Sequence, residues 1–356
     1  MSLSPPSPNP LASPVTWTDP SREAAFNTWL ISLGAHSLQP VTLRLASVDA
    51  SFRRYLRIDG ASGTRIIMDA PPDKEDSKPF VDVARLMAEA GLHVPEVLEW
   101  DVTHGFLLLT DLGDKTMMQT MVRDNPHANQ VSYLEAVDAL ITWQLASKPG
   151  ILPPYDEALL RRELALFPDW YLAQYRGIAV EGEVRATLDT AFNHIVAQNL
   201  MWPSVFVHRD FMPRNLMHGS PPGVLDFQDA VYGPITYDIA SLMRDAFLTW
   251  EEDFVLDITI RYWEKARKAG LPVGDDFGEF YRGVEWMGLQ RHLKIAGIFA
   301  RLTLRDGKPQ YLADTPRFID YIRATCSRYR ELKPLLRLID RVEGIEAATG
   351  FAYGRV

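Results

Sequence analysis

The chain has 356 residues, more than a single hydrophobic core usually organises, so two lobes are expected. Its 47% hydrophobic and 23% charged residues are those of a globular protein and exclude global disorder or a coiled coil. Thirty-seven basic against 46 acidic residues leave a net charge of −9, which disfavours nonspecific adhesion to nucleic acid or an anionic membrane.

Cys326 is the only cysteine, so neither an intramolecular disulfide nor a cysteine-based zinc site can form; a buried filler thiol and a reducing, cytoplasmic setting are expected. The opening MSLSPPSPNPLASP has no basic or apolar segment of a secretory signal and reads as a disordered Pro/Ser tail over residues 1–16. No later apolar run approaches the ~20 residues that span a bilayer, so no membrane partner is expected.

Thr18 or Asp19 caps a first helix with Pro20 in its opening turn, and Phe26, Trp29, Leu30 and Leu33 recur at helical spacing until Gly34. The period then shortens. Val41–Ser47, Phe52–Ile58 and Arg65–Asp69 read as strands, the last two joined by a DGASGT turn. From Ser77, the residues Phe80, Val83, Ala84, Met87 and Ala90 mark an amphipathic helix, and Val97–Asp101 and Phe106–Thr110 read as two further strands. Beyond Lys115 the pattern is helical, at about 129–147, 156–175, 182–200, 252–269, 277–304 and 316–340. The organisation expected is a lobe at 17–110 with an antiparallel sheet and one main helix, a hinge at 111–114 and a larger helical lobe at 115–356.

One segment interrupts the helices: VHRDFMPRNLMHGSPPGVLDFQD, residues 207–229, sets ionised groups among strand-forming residues, which is costly unless they are paired or bind a metal. Read as two short strands, Leu216–His218 and Gly223–Leu225, around the loop Gly219–Pro222, a symmetric hairpin puts Asn215 opposite Asp226. Two oxygen ligands side by side suit Mg²⁺, and Asp210, on the loop entering the hairpin, is placed to accept a proton from an attacking hydroxyl.

The run His208-Arg209-Asp210-Phe211-Met212-Pro213-Arg214-Asn215, then Asp226-Phe227-Gln228, resembles the H-x-D-x-x-x-x-N and following Asp of the kinase superfamily. Gly233-Pro234-Ile235-Thr236-Tyr237-Asp238-Ile239-Ala240 resembles the G-x-x-x-x-D-[LI]-A segment of the aminoglycoside phosphotransferase and choline kinase family. The resemblance implies an α+β, protein-kinase-like two-lobe fold. It also implies Asp210 as catalytic base, Asn215 and Asp226 as Mg²⁺ ligands, His208 as a brace of the loop and Asp238 as its support. Arg214 is read either as a neutraliser of phosphoryl charge or as a solvated loop arginine. The short run from Asp226 to Tyr237 leaves no room for a peptide-binding platform, so a small-molecule acceptor is expected.

SFRRYLRI, IIMDAPP, AGLHVPEVL, LLTDLGD, LQRHLKIAGIFARL and YLADTPR extend the likeness from about Trp17 to Arg323 and are similar to the bacterial anomeric kinases of cell-wall amino sugars. These phosphorylate the C1 hydroxyl of N-acetylmuramate and N-acetylglucosamine in peptidoglycan recycling, with ATP and Mg²⁺. Gln228, Asp229, Trp286, Gln290, Arg291 and His292 are the sugar-facing candidates on this reading, and Asp111 and Leu112 the hinge contacts to nucleotide. A monomer is expected. Two features depart from the pattern. The loop Ser47–Ser51 lacks the phosphate-cradling glycines, and Met68 stands where a β-strand lysine is usual. Ser51 with Arg53 or Arg54 is the expected substitute, because Arg54 shares a strand face with Leu56 and Ile58 and calls there for an anion. The alternatives are a kinase of an aminoglycoside, choline or another sugar, a nucleotide-binding module without turnover, and a metal-dependent hydrolase built on His208 and Asp210.

Overall fold

The computed structural model describes residues 15–48 and 52–345, so most of the expected 1–16 tail, and Ser51, lie outside the described residues. The chain divides into two compact units. One takes the described residues up to Thr116 together with Leu216–Asp229; the other takes Met117–Asn215 and the described residues from Ala230 on.

In the first unit, α1 (Pro20–Ser32) is capped by Asp19, whose carboxylate accepts the N–H groups of Ser21 and Arg22. Five strands form an antiparallel sheet in the order β1-β2-β3-β5-β4: β1 Gln39–Val48, β2 Arg54–Gly60, β3 Gly63–Asp69, β4 Val97–Asp101 and β5 Phe106–Thr110. A two-residue loop joins β2 to β3, and Gly63 takes the φ of +109° that this turn requires. The main helix α2 (Lys78–Glu89) lies between β3 and β4 in sequence. Phe26, Trp29 and Leu30 of α1, with Leu33 just after it, pack on one sheet face, against Leu56, Ile58, Ile67, Phe106 and Leu108.

Strand alternation then sorts the arginines. Arg54 falls on the face that α1 covers, whereas Arg57 falls on the other, the face of the fully buried Met68; Arg53 precedes the strand.

The segment Leu216–Asp229 joins this unit through its backbone. The hairpin β7 (Leu216–Met217) and β8 (Gly223–Val224) attaches by His218 N–H donating to the Lys115 carbonyl and Val224 N–H donating to the His93 carbonyl. Its register pairs Met217 with Gly223 and Leu216 with Val224, one residue out of the expected ladder, because His218 bonds to Lys115 and falls into the loop. Strand position alone therefore no longer sets Asn215 opposite Asp226.

The second unit is mainly helical: α3 Met117–Thr120, α4 Gln130–Leu145, α5 Glu157–Leu166, α6 Gly182–Leu200, α7 Thr236–Met243, α8 Glu252–Lys268, α9 Phe277–Leu304, α10 Thr315–Arg328 and α11 Lys333–Glu343. The expected 316–340 helix is two helices. Pro334 has no N–H and its ring would meet the carbonyl four residues back, so it opens α11 after the extended Tyr329. A short ladder of β6 (Ser204–Val207) with β9 (Val231–Pro234) leads directly into His208 at one end and towards α7 at the other.

Candidate active site

The turn at His208-Arg209-Asp210 is built against backbone preference. Arg209 has φ +76°, a left-handed conformation that strains a side-chain-bearing residue and persists only when its surroundings impose it. Asp238, in the first turn of α7 and completely buried, imposes part of it: Oδ2 accepts His208 N–H at 2.7 Å and Oδ1 accepts Arg209 N–H at 3.0 Å. Burial pushes the Asp238 carboxyl up to about 6, against the pull of those two donors and of Arg291. His208 is itself buried, edge-on to the ring of Phe211, and its Nδ1 accepts the Asp210 N–H at 3.2 Å, which puts the ring proton on Nε2.

Asp210 is half-buried, and its carbonyl accepts Asn215 Nδ2–H at 2.9 Å, which makes Oδ1 the acceptor end of that amide. Arg214 is exposed, its guanidinium 4.6 Å from the centroid of the Phe247 ring. In the first unit Asp226 is also left-handed, at φ +63°, and its Oδ1 accepts Gln228 Nε2–H at 3.0 Å. Phe227 is buried and packs on Phe80 of α2, with ring centroids 4.9 Å apart. Asp229 is exposed. Among the described residues no three His, Cys, Asp or Glu side chains gather into an all-protein metal cage.

Two buried carboxylates that sequence reading left aside lie in the second unit, and one of them, Glu163, holds the loop through Arg209. Glu163 of α5 shares the buried stripe of Leu160, Leu164 and Phe167, and a carboxylate in an apolar stripe was the available signal. Its Oε1 accepts from Arg209 Nη2 at 2.6 Å and Lys294 Nζ at 2.9 Å; its Oε2 accepts from Tyr155 Oη at 2.5 Å and Gln290 Nε2 at 3.0 Å. Burial alone would raise this carboxyl; the charges of Lys294 and Arg209 outweigh it and hold the group at about 2. Asp245, fully buried beyond α7, accepts the Phe247 N–H through Oδ1, and burial pushes it up to about 7 against that donor and Arg291, Arg317 and Arg214.

The helical candidates do not present a sugar-facing stripe. Trp286, Gln290 and Arg291 are all buried within the second unit. Trp286 packs on Tyr329, Gln290 donates to Glu163, and Arg291 donates to the Arg209 carbonyl. Further along the same stripe, a Cβ at Gly297 would lie 2.3 Å from the Leu166 carbonyl oxygen, so this face meets α5 rather than solvent. His292 donates from Nε2 to the Arg244 carbonyl and stacks on Tyr321, 4.5 Å between centroids; burial holds its pKa down at about 3, so it is neutral.

The N-terminal candidates are sorted as sharply. The anion that Arg54 faces is Asp69, which accepts from its Nε at 3.0 Å and Nη2 at 2.5 Å, while Nη1 donates to the Thr16 carbonyl and the guanidinium lies over Trp17. Asp69 accepts from Arg22 as well. Arg53, just before β2, pairs with Glu75 at 3.4 Å, and Glu75 also accepts the Phe52 N–H. Asp111 is committed to Arg57 at 2.6 Å and to the Gly113 N–H, which braces the chain where it leaves β5; a Cβ at Gly223 would collide with the half-buried Leu112.

Residues 42–276 match the phosphotransferase enzyme family. The chain belongs to that family. It is 47% identical over 340 residues to the N-acetylmuramate/N-acetylglucosamine kinase of Pseudomonas aeruginosa, a match covering 93% of this chain and 100% of that one. The protein of the same name from Neisseria meningitidis is 46% identical over 340 residues, covering 93% and 99%. Among solved structures it is similar to a choline/ethanolamine kinase family protein from Mesorhizobium loti, with TM-score 0.60, 15% identity and coverage of 90% and 99%. A macrolide 2'-phosphotransferase from Brachybacterium faecium gives TM-score 0.56 at 15% identity, covering 83% and 98%. The fold is thus the kinase-like one, a small lobe with a five-stranded antiparallel sheet and a mostly helical lobe. The chain is a kinase, a phosphotransferase acting on a hydroxyl of a small molecule. No helix among the described residues is long and apolar enough to cross a membrane.

Proposed function

We propose that this kinase transfers the γ-phosphoryl group of ATP to the anomeric C1 hydroxyl of N-acetylmuramate and N-acetylglucosamine. The observation that supports the reading is the strained turn at Arg209, gripped by Asp238 through the N–H groups of His208 and Arg209 immediately before the half-buried Asp210. The choice of sugar is supported by relatives of that name at 47% and 46% identity over nearly the whole chain.

Asp210 orients the hydroxyl and takes its proton as the oxygen attacks the γ-phosphorus, the bond to the bridging oxygen breaks and ADP leaves. His208 and Asp238 keep that carboxylate in place. Asn215 and Asp226 are assigned to Mg²⁺, which when bound neutralises phosphate charge. Arg53, which pairs with Glu75 just before β2, is assigned to the nucleotide phosphates; Arg54, saturated by Asp69, is not. Gln228, whose Oε1 has no hydrogen-bond partner, and the exposed Arg214 and Asp229 are the remaining candidates for substrate contacts.

Incubation with ATP, Mg²⁺ and a panel of amino sugars, aminoglycosides and choline, with products read by mass spectrometry and phosphorus NMR, tests the reading. A sugar 1-phosphate from the two named sugars is expected. Turnover of only the other acceptors, or hydrolysis of ATP regardless of sugar, would overturn it.

A further inference from the structure

The Arg209 carbonyl and the Asp210 N–H belong to one peptide group, and that group is held at both ends. Its N–H donates to His208 Nδ1, and its carbonyl accepts Arg291 Nη1–H at 2.6 Å. Arg291 comes from the middle of α9, is 2% exposed, and lies over the Tyr237 ring, 4.8 Å from its centroid. Its charge faces Asp210, Asp238 and Asp245.

A guanidinium at a core position is costly, and here its Nε has no hydrogen-bond partner, so an apolar side chain of similar volume would suit stability better. What an apolar residue cannot do is hold the carbonyl of a peptide that leaves a strained residue. Once that contact is lost, the peptide plane is free to rotate through ψ of Arg209 and φ of Asp210, and the Asp210 side chain turns with it.

We infer that Arg291 is a positioning residue for the kinase reaction: it locks the Arg209–Asp210 peptide and through it the carboxylate of Asp210. This rests on the reading of Asp210 as the base. Arg291 thus leaves the set of sugar contacts and joins Asp238 and Glu163, so that backbone N–H, backbone carbonyl and side chain of Arg209 are each held from a different helix.

The test is a steady-state kinetic cycle on the full chain with Arg291→Met, Arg291→Lys, Asp210→Asn and the doubles. Arg291→Met is expected to lower kcat about 100-fold, the scale of a misplaced catalytic group, with KM for ATP and sugar within about threefold. Arg291→Lys, which keeps one donor, recovers about tenfold of that loss. In the Asp210→Asn background Arg291→Met costs less than about threefold, because no carboxylate remains to be positioned. A rise in sugar KM at unchanged kcat would make Arg291 a substrate contact and overturn the inference. So would an equal loss in both backgrounds. If Arg291→Met does not fold, Arg291→Lys carries the same comparison. An Asp210→Asn enzyme that keeps more than about a hundredth of the rate sinks the base assignment by itself, separately from Arg291.

Discussion

Replacing Glu163 by Gln keeps the shape of a buried side chain and removes the one charge that Arg209 and Lys294 share in the second unit. The carboxyl is held at about 2 against an ordinary 4.5, and at about 1.4 kcal/mol per pH unit that gap is worth roughly 3 kcal/mol. Breaking a buried ion pair from one side typically costs about 3–5 kcal/mol, the same range. At about 2–4 °C per kcal/mol for a unit of this size, Tm at pH 7 should fall by about 6–12 °C. The folded-state pKa lies below the unfolded one, so the stabilisation is complete above about pH 4.5 and is lost as pH falls towards about 2. Urea or thermal unfolding of both proteins between pH 7 and pH 3 reads it directly. The reasoning fails if Glu163→Gln melts within about 2 °C of wild type at pH 7, or if the difference between the two does not narrow on acidification.

Asp245 has the opposite sign. Its folded pKa of about 7 exceeds the ordinary 3.8, so the stability it contributes is present at low pH and is lost as pH rises through 7. Asp245→Asn should gain Tm relative to wild type between pH 5 and pH 8, and a loss at pH 8 would contradict the burial argument. Arg53→Met should raise the KM for ATP at least about tenfold, whereas Arg54→Met should leave that KM unchanged and lower Tm, since Arg54 serves Asp69; the reverse pattern in the same assays would reject the assignment. Gly297→Ala puts a methyl 2.3 Å from the Leu166 carbonyl oxygen, so α9 and α5 must separate, at about 1–3 kcal/mol by denaturant unfolding.

Much of the fold was legible because it is local. Helical spacing marked 182–200 and 277–304 at their observed bounds, and strand patterning did the same for Val97–Asp101 and Phe106–Thr110. The hairpin register was missed by one residue because His218 bonds to Lys115, a partner that no spacing within the hairpin announces. The strained turn at Arg209 lies within the segment that the H-x-D-x-x-x-x-N spacing marked, whereas Trp286 and Gln290, sugar-facing candidates in the sequence, are buried within the second unit. An apolar-and-amide stripe looks the same in sequence whether it meets ligand or another helix.

The sequence by itself determined most of the element order and the kinase-like pattern of the segment around His208–Asn215, because backbone geometry ties these to spacings of a few residues. Tertiary structure alone decided which buried charge answers which. Arg22 reaches Asp69 across 47 positions, Arg209 reaches Glu163 across 46, and Arg291 reaches the Arg209 carbonyl across 82. A buried charge must find a partner, but packing chooses the partner, and packing brings together residues whose distance along the chain carries no information about their distance in space.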